Sequence, residues 1–210
     1  MGRAWTVMGV VNVTPDSFSD RGLWLDADAA VEHGVALAEQ GAGILDVGGE
    51  STRPGAEPVP EAEELRRVVP VLEGLHERAL GAVLSIDTSK LAVARAALDA
   101  GAAFVNDVTA FRHDPELAAL VAEAGCDCCL MHMQGEPRTM QADPRYDDVV
   151  DDVRAFLEER AAFAIARGVA PERIHVDPGI GFGKSLEHNV TLLRRLDEIA
   201  ALGFPVVVGV

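Results

Sequence analysis

Lysine is nearly missing from this sequence. Of 210 residues only two are lysine, Lys90 and Lys184, and the 18 basic residues face 34 acids, for a formal charge of −16. That imbalance argues against a nucleic-acid partner, which would need a basic face to displace counterions from phosphates. Cysteine is equally sparse, with three residues gathered in "GCDCCLMHM" as Cys126, Cys128 and Cys129. No second cluster stands at metal-ligand spacing and adjacent cysteines rarely pair, so these read as buried thiols of a strand. An unpaired set suits a reducing, cytoplasmic compartment. No apolar run approaches the roughly 18 residues that span a bilayer, which points away from a membrane. The N-terminal "MGRAWTVMGVVNVTPD" has too short an apolar run for a signal peptide and leads straight into a polar motif.

What remains is an ordinary globular composition, 49% hydrophobic and 25% charged, in a chain that suits one domain over residues 1–210. Short apolar runs, "TVMGVVNV", "GAGILDVGG", "GAVLSIDT", "AAFVNDV", "CDCCLMHM", "RIHVDPG" and "FPVVVGV", alternate with helical patterns. Val31, Val35 and Ala38 in the first helical stretch, and Leu192, Leu193, Leu196 and Ile199 in the last, recur at three- and four-residue steps. Gly41, Gly101, Gly125, Gly168 and Gly203 follow helical stretches, where a left-handed terminal cap is expected. Nearly continuous apolar strands with helix-length crossovers predict a parallel sheet covered on both faces.

Polar residues mark the C-terminal ends of most of these strands: Asn12, Glu50, Asp87, Asn106 with Asp107, His132 and Asp177. An open doubly wound sheet concentrates its chemistry at one switch point, whereas every strand of a barrel opens on a common mouth. The expected fold class is therefore α/β, a (β/α)8 TIM barrel. A full barrel usually needs about 250 residues, so the chain is expected to cover strands one to seven, without the eighth strand and the last helices.

The stretch "IHVDPGIGFGKSLEHN" looks at first like a phosphate-binding loop. A Walker A motif would place its first glycine where this sequence has Pro178, which offers no N–H to a phosphate. The glycines are better suited to a sharp turn approaching a flat ligand held by Asp177, the alternative being a turn with no ligand role. Two loops, residues 12–22 ("NVTPDSFSDRG") and 48–60 ("GGESTRPGAEPVP"), are long for βα connections and resemble lids or binding arms. Asp87, Asn106 and Asp177 form a set rich in acceptors, suited to an aminopyrimidine edge, although each alone could cap a helix.

Together "MGVVNVTPDSFSD", "ILDVGGESTRPGA", "SIDTSK", "VNDV", "MHMQGEPRTMQ" and "DPGIGFGKSLEHN" resemble the dihydropteroate synthase family over residues 7–210. The corrinoid-dependent methyltetrahydrofolate methyltransferases share the Asp, Asn, Asp trio and the barrel, but not the Thr-Pro-Asp-Ser-Phe and Ser-Thr-Arg-Pro-Gly loops. The resemblance implies a transferase of folate biosynthesis. It joins 6-hydroxymethyl-7,8-dihydropterin diphosphate to p-aminobenzoate, giving 7,8-dihydropteroate and pyrophosphate.

Carried over by motif, Asp87, Asn106 and Asp177 hold the pterin edge, and Val108, Met131 and Phe182 pack on the ring. Gly181 admits close backbone approach. Asn12 contributes an amide oxygen to Mg²⁺, and Thr52 bonds the diphosphate. Phe18, Arg53 and Pro54 close over p-aminobenzoate, with Asp16 near the developing cation. His132 is expected behind the ligand contacts and Lys184 as a helix-start residue. The family's Ser-Arg-Lys and Arg-x-His motifs after strands seven and eight are absent from a sequence that stops at "VVVGV", so this chain is expected to be poorly active or inactive. A catalytically inactive pterin-binding relative and a methyltransferase-like domain are the alternatives. Small-molecule substrates are the expected partners, and the resemblance also allows a homodimer.

Overall fold

The β-type runs are short, most are rich in β-branched residues, and most close on a polar or glycine tip, which suits strands rather than helices. The computed structural model describes residues 5–14, 26–52, 56–78, 81–135 and 139–209. Among these, strands and helices alternate as β1 (Met8–Asn12), α1 (Asp26–Glu39), β2 (Ile44–Gly48), α2 (Glu61–Glu77), β3 (Val83–Asp87), α3 (Leu91–Asp99) and β4 (Phe104–Asp107). They continue as α4 (Leu117–Ala124), β5 (Asp127–Met131), α5 (Val149–Ala166), β6 (Ile174–Asp177), α6 (Leu186–Arg194) and α7 (Leu196–Ala200). The chain divides into two compact units, Met1–Ser51 with Pro58–Asn106, and Thr52–Glu57 with Asp107–Val210.

In the first unit β1, β2, β3 and β4 pair in parallel in that order. Val11, Val47, Ile86 and Val105 fall in register across the four strands and are fully buried. Burial of each such side chain contributes about 1.5–3 kcal/mol. Helices α1 and α2 pack closely because glycines face branched side chains. A Cβ at Gly34 would lie 2.7 Å from Leu75, and one at Gly74 would lie 2.7 Å from Val31. Because strand side chains alternate, the opposite face carries Asn12, Gly48, Asp87 and Asn106 at the strand tips. Asp46, Ser85 and Phe104 lie one level below.

In the second unit β5 pairs in parallel with β6, setting Met131 beside Asp177. The Asp148 side chain caps α5, accepting from Val150 N–H at 2.8 Å and Asp151 N–H at 3.1 Å. Its other oxygen takes a hydrogen bond from Arg195 at 2.7 Å, tying α5 to the end of α6. The seventh apolar run meets β6 at a single parallel bridge, Val176 with Val206. Val176 N–H donates to the Pro205 carbonyl and Val207 N–H to the Val176 carbonyl, each at 2.9 Å. Pro205 has no N–H for a longer ladder.

The five glycines that follow helices all adopt positive φ, from 61° at Gly125 to 105° at Gly41. Cys126, Cys128 and Cys129 are buried and form no disulfide among the described residues. Burial pushes Cys126 up to about 11, so it is a thiol at neutral pH.

Candidate active site

Four strand tips of the first unit form one level, with Asn12 opposite Gly48, Gly48 opposite Asp87, and Asp87 opposite Asn106. Gly48 matters here for what it omits. A Cβ there would stand 3.5 Å from Asp87 Oδ2 and 3.7 Å from Asn12 Oδ1, occupying the space between the two oxygens. Beneath this level lies a buried carboxylate, Asp46, only 5% exposed. Its Oδ1 accepts from the Ser85 hydroxyl at 2.5 Å and its Oδ2 from the Asn106 amide at 2.8 Å. Burial raises the Asp46 pKa, while these two donors act in the opposite direction.

The foot of the 48–60 loop is clamped by charge. Lys90 donates to both Glu50 and Glu64. Glu64, 1% exposed, also accepts from the Thr88 hydroxyl at 2.7 Å. The second oxygen of Glu50 accepts from Val59 N–H at 3.3 Å, so one carboxylate ties both ends of the loop. Arg67 adds a hydrogen bond to the Gly49 carbonyl at 2.8 Å. Burial acts to lower the Lys90 pKa, but the bonds and charges of Glu50 and Glu64 outweigh it and leave the pKa raised. Asp87, considered above as a helix cap, does not cap α3; Lys90 holds the cap position and the helix has no side-chain cap.

In the second unit, Asp177 ends β6, and its Oδ1 accepts from Gly179 N–H at 2.6 Å. Burial raises the Asp177 pKa to about 6, opposed by that bond and by the Lys184 charge. The turn after it can be made only by glycine. Gly179 has φ +67°, and a Cβ there would lie 2.0 Å from the His132 carbonyl oxygen. At Gly181 a Cβ would meet nothing within 4 Å. The Gly181 N–H donates to Asn189 at 2.9 Å, and its carbonyl accepts from Gln141.

Lys184 is not the helix-start residue expected above. Ser185 caps α6 in a capping box with His188, while Lys184 turns inward and is 3% exposed. Its Nζ lies 2.9 Å from His132 Nδ1, and it donates to the Phe182 carbonyl at 2.9 Å and the His132 carbonyl at 3.3 Å. A local helix signal gave way to three buried acceptors that need a donor. Val108 and Phe182 pack against a buried cluster of Met131, Met133 and Met140. The turn carrying Val108 is held by buried Asp107, which accepts from Thr109 N–H at 2.7 Å and Phe111 N–H at 2.8 Å.

Among the residues singled out from sequence, Asn12, Asp87 and Asn106 thus share one level of the first unit, and Val108, Met131 and Phe182 share one apolar cluster of the second. Asp177 and Gly181 lie on the strand tip and turn of the second unit. Thr52 is half-buried just after β2. Asp16, Phe18, Arg53 and Pro54 lie outside the described residues. Asp46, Ser85, Glu64, Met133 and Met140 were not foreseen. The signal for Asp46 and Ser85 was a lone polar residue inside "ILDVG" and "VLSID", two positions before each strand tip.

Parallel strands that alternate with helices and end in polar tips make an α/β fold whose chemistry gathers at the strand ends. The family described as pterin binding enzyme matches residues 8–210, and the chain belongs to it. A curated dihydropteroate synthase from Synechocystis is 45% identical over 208 residues, 99% of this chain and 72% of the relative. A solved Xanthomonas albilineans dihydropteroate synthase with 4-aminobenzoic acid is 51% identical with a TM-score of 0.90, covering 98% of this chain and 72% of that one. Another from the same organism, in complex with 7,8-dihydropteroate, is 47% identical with a TM-score of 0.85, covering 98% and 72%. The fold class is accordingly α/β, of the (β/α)8-barrel type expected from sequence.

Proposed function

We propose that the chain is a folate-pathway transferase. It condenses 6-hydroxymethyl-7,8-dihydropterin diphosphate with p-aminobenzoate, giving 7,8-dihydropteroate and pyrophosphate. Membership of the family and identities of 45–51% to dihydropteroate synthases support this reading. So do the solved relatives that hold 4-aminobenzoic acid and 7,8-dihydropteroate. The observation that carries it is the level of Asn12, Asp87 and Asn106 with a glycine between the first two. Of these, Asp87 and Asn106 offer neighbouring acceptors suited to a heterocycle with several N–H groups, while Asn12 faces the space that Gly48 leaves.

In this reading Asp87, Asn106 and Asp177 take the pterin hydrogen-bonding edge. Val108, Met131 and Phe182 meet the ring through apolar atoms, and Gly181, lacking a Cβ, leaves that side of the turn open to close approach. Thr52 bonds the diphosphate; Phe18, Arg53 and Pro54 close over p-aminobenzoate; Asp16 stands near the cationic carbon. The C–O bond to the diphosphate breaks, the arylamine nitrogen forms the new C–N bond, and the amine loses a proton. Carboxylates near the methylene favour the positive charge that develops as the leaving group departs. No protein nucleophile is needed.

Asn12 fits a hard cation. It offers an amide oxygen beside the space that Gly48 leaves open, and Mg²⁺ prefers oxygen ligands. Among the described residues no three His, Cys, Asp or Glu side chains gather around a metal position. Bound with the diphosphate and water, Mg²⁺ would neutralise leaving-group charge.

The test is calorimetry with 6-hydroxymethyl-7,8-dihydropterin diphosphate, followed by chromatography for 7,8-dihydropteroate once p-aminobenzoate and Mg²⁺ are added. Saturable binding and at most slow product formation are expected. Binding without product would favour an inactive pterin-binding relative, and absence of binding would overturn the reading.

A further inference from the structure

Asn106 carries an amide whose two ends differ in chemistry, and its partners decide which end meets a ligand. Asn106 on β4 and its partner Asp46 on β2 are separated by β3. The β3 residue paired with Asp46 is Ser85, whose small side chain leaves room for the others to meet. Asp46 Oδ2 accepts from Asn106 Nδ2 at 2.8 Å, and Asp46 Oδ1 is held by the Ser85 hydroxyl at 2.5 Å. All three sit in the first unit, and Asp46 and Ser85 are buried. A carboxylate has no proton to give, so it selects the NH₂ end of the amide. Asn106 Oδ1 makes no hydrogen bond among the described residues.

We infer that Asp46 is a positioning residue that locks the Asn106 amide through its NH₂ group, so that Asn106 presents its oxygen as an acceptor to the ligand. Ser85 braces Asp46 from the other side. The inference rests on the proposed function only for the identity of the ligand. Its physical content is a relay from hydroxyl to carboxylate to amide. Without the carboxylate the amide could rotate and present a donor, which a donor edge of the ligand would reject. A buried donor left without its acceptor is costly in either orientation.

Exchanging the two groups tests this. In Asn106→Asp, two carboxylates face each other near pH 8, and affinity for 6-hydroxymethyl-7,8-dihydropterin diphosphate should fall about tenfold or more. In the double variant Asp46→Asn with Asn106→Asp, the new amide donates to the new carboxylate, whose second oxygen still faces the ligand. Calorimetry should then return to within about threefold of the original affinity, well under the tenfold expected of an unmade hydrogen bond. Ser85→Ala should weaken binding only slightly. A double variant as weak as Asn106→Asp alone, or a single variant that binds normally, overturns the inference.

Thermal melts of the same proteins give a readout that needs no ligand. Tm should drop in Asn106→Asp and recover in the double variant, and failure to recover also overturns the pairing. Should the unaltered chain bind no pterin while the melts show the expected recovery, the pairing stands and the functional reading fails.

Discussion

The Lys184 ammonium lies 2.9 Å from Nδ1 of His132, and both side chains are buried. Burial, with the Lys184 and Arg112 charges behind it, holds the His132 pKa down at about 3, so the imidazole is neutral. Nδ1 is then the acceptor and Nε2 carries the proton. The ring is fixed edge-on to Phe156, with centroids 4.9 Å apart. The same lysine holds the Phe182 carbonyl, so one side chain ties the end of β5 to the glycine turn after β6.

Lys184→Met removes the donor to three buried acceptors and should cost about 1–3 kcal/mol. Burial lowers the Lys184 pKa from 10.5 to about 7, with the Asp177 charge opposing. Between those values the unfolded chain binds more protons than the native one, so this group makes stability rise with pH across that window. Urea unfolding of the original protein near pH 7 and at about pH 9 should show that rise, and the variant should lack it. Equal slopes in both proteins would count against a buried Lys184 whose pKa is lowered.

Gly179 and Gly181 are two residues apart and should respond differently to alanine. Both have positive φ, which costs an alanine about 1–2 kcal/mol. At Gly179 the methyl also strikes the His132 carbonyl, so Gly179→Ala should be the more damaging by at least about 2 kcal/mol. Chemical denaturation ranks them. Similar losses would mean that the turn relaxes around the added atom.

Asp177 should make pterin binding sensitive to acid. With its pKa raised to about 6 by burial, it becomes a neutral acid as pH falls through that value and loses acceptor strength. Affinity measured by calorimetry should weaken below pH of about 6 and be steady above it. Asp177→Asn should bind more weakly at neutral pH and show a flatter profile; an unchanged acid limb would assign the titration to another group.

The clamp on the 48–60 loop predicts coupling. Lys90→Met leaves Glu64 buried without its cation and should destabilise the protein by roughly 3 kcal/mol. Adding Glu64→Gln removes the stranded charge, so the double variant should lose less than the sum of the two, by about 1 kcal/mol or more. Strict additivity in urea unfolding would show that the pair does not interact.

Much was legible before any fold was known. Apolar periodicity and capping glycines mark the elements because both arise from local geometry, and Gly41, Gly101, Gly125, Gly168 and Gly203 all take the left-handed conformation expected of them. The polar strand tips Asn12, Asp87, Asn106 and Asp177 were readable for the same reason, since each closes an apolar run. The long-range partners were not. Asp46 and Asn106 are 60 positions apart, and His132 and Lys184 are 52 apart.

The sequence by itself therefore determined the order of strands and helices, the left-handed turns and the residues that end each strand. Only the tertiary structure decided that Asp46 orients Asn106, that Lys184 turns inward to His132, and that Met133 and Met140 join Met131. Period and cap chemistry act within a few residues, whereas these contacts depend on strand register and on which buried acceptor most needs a donor.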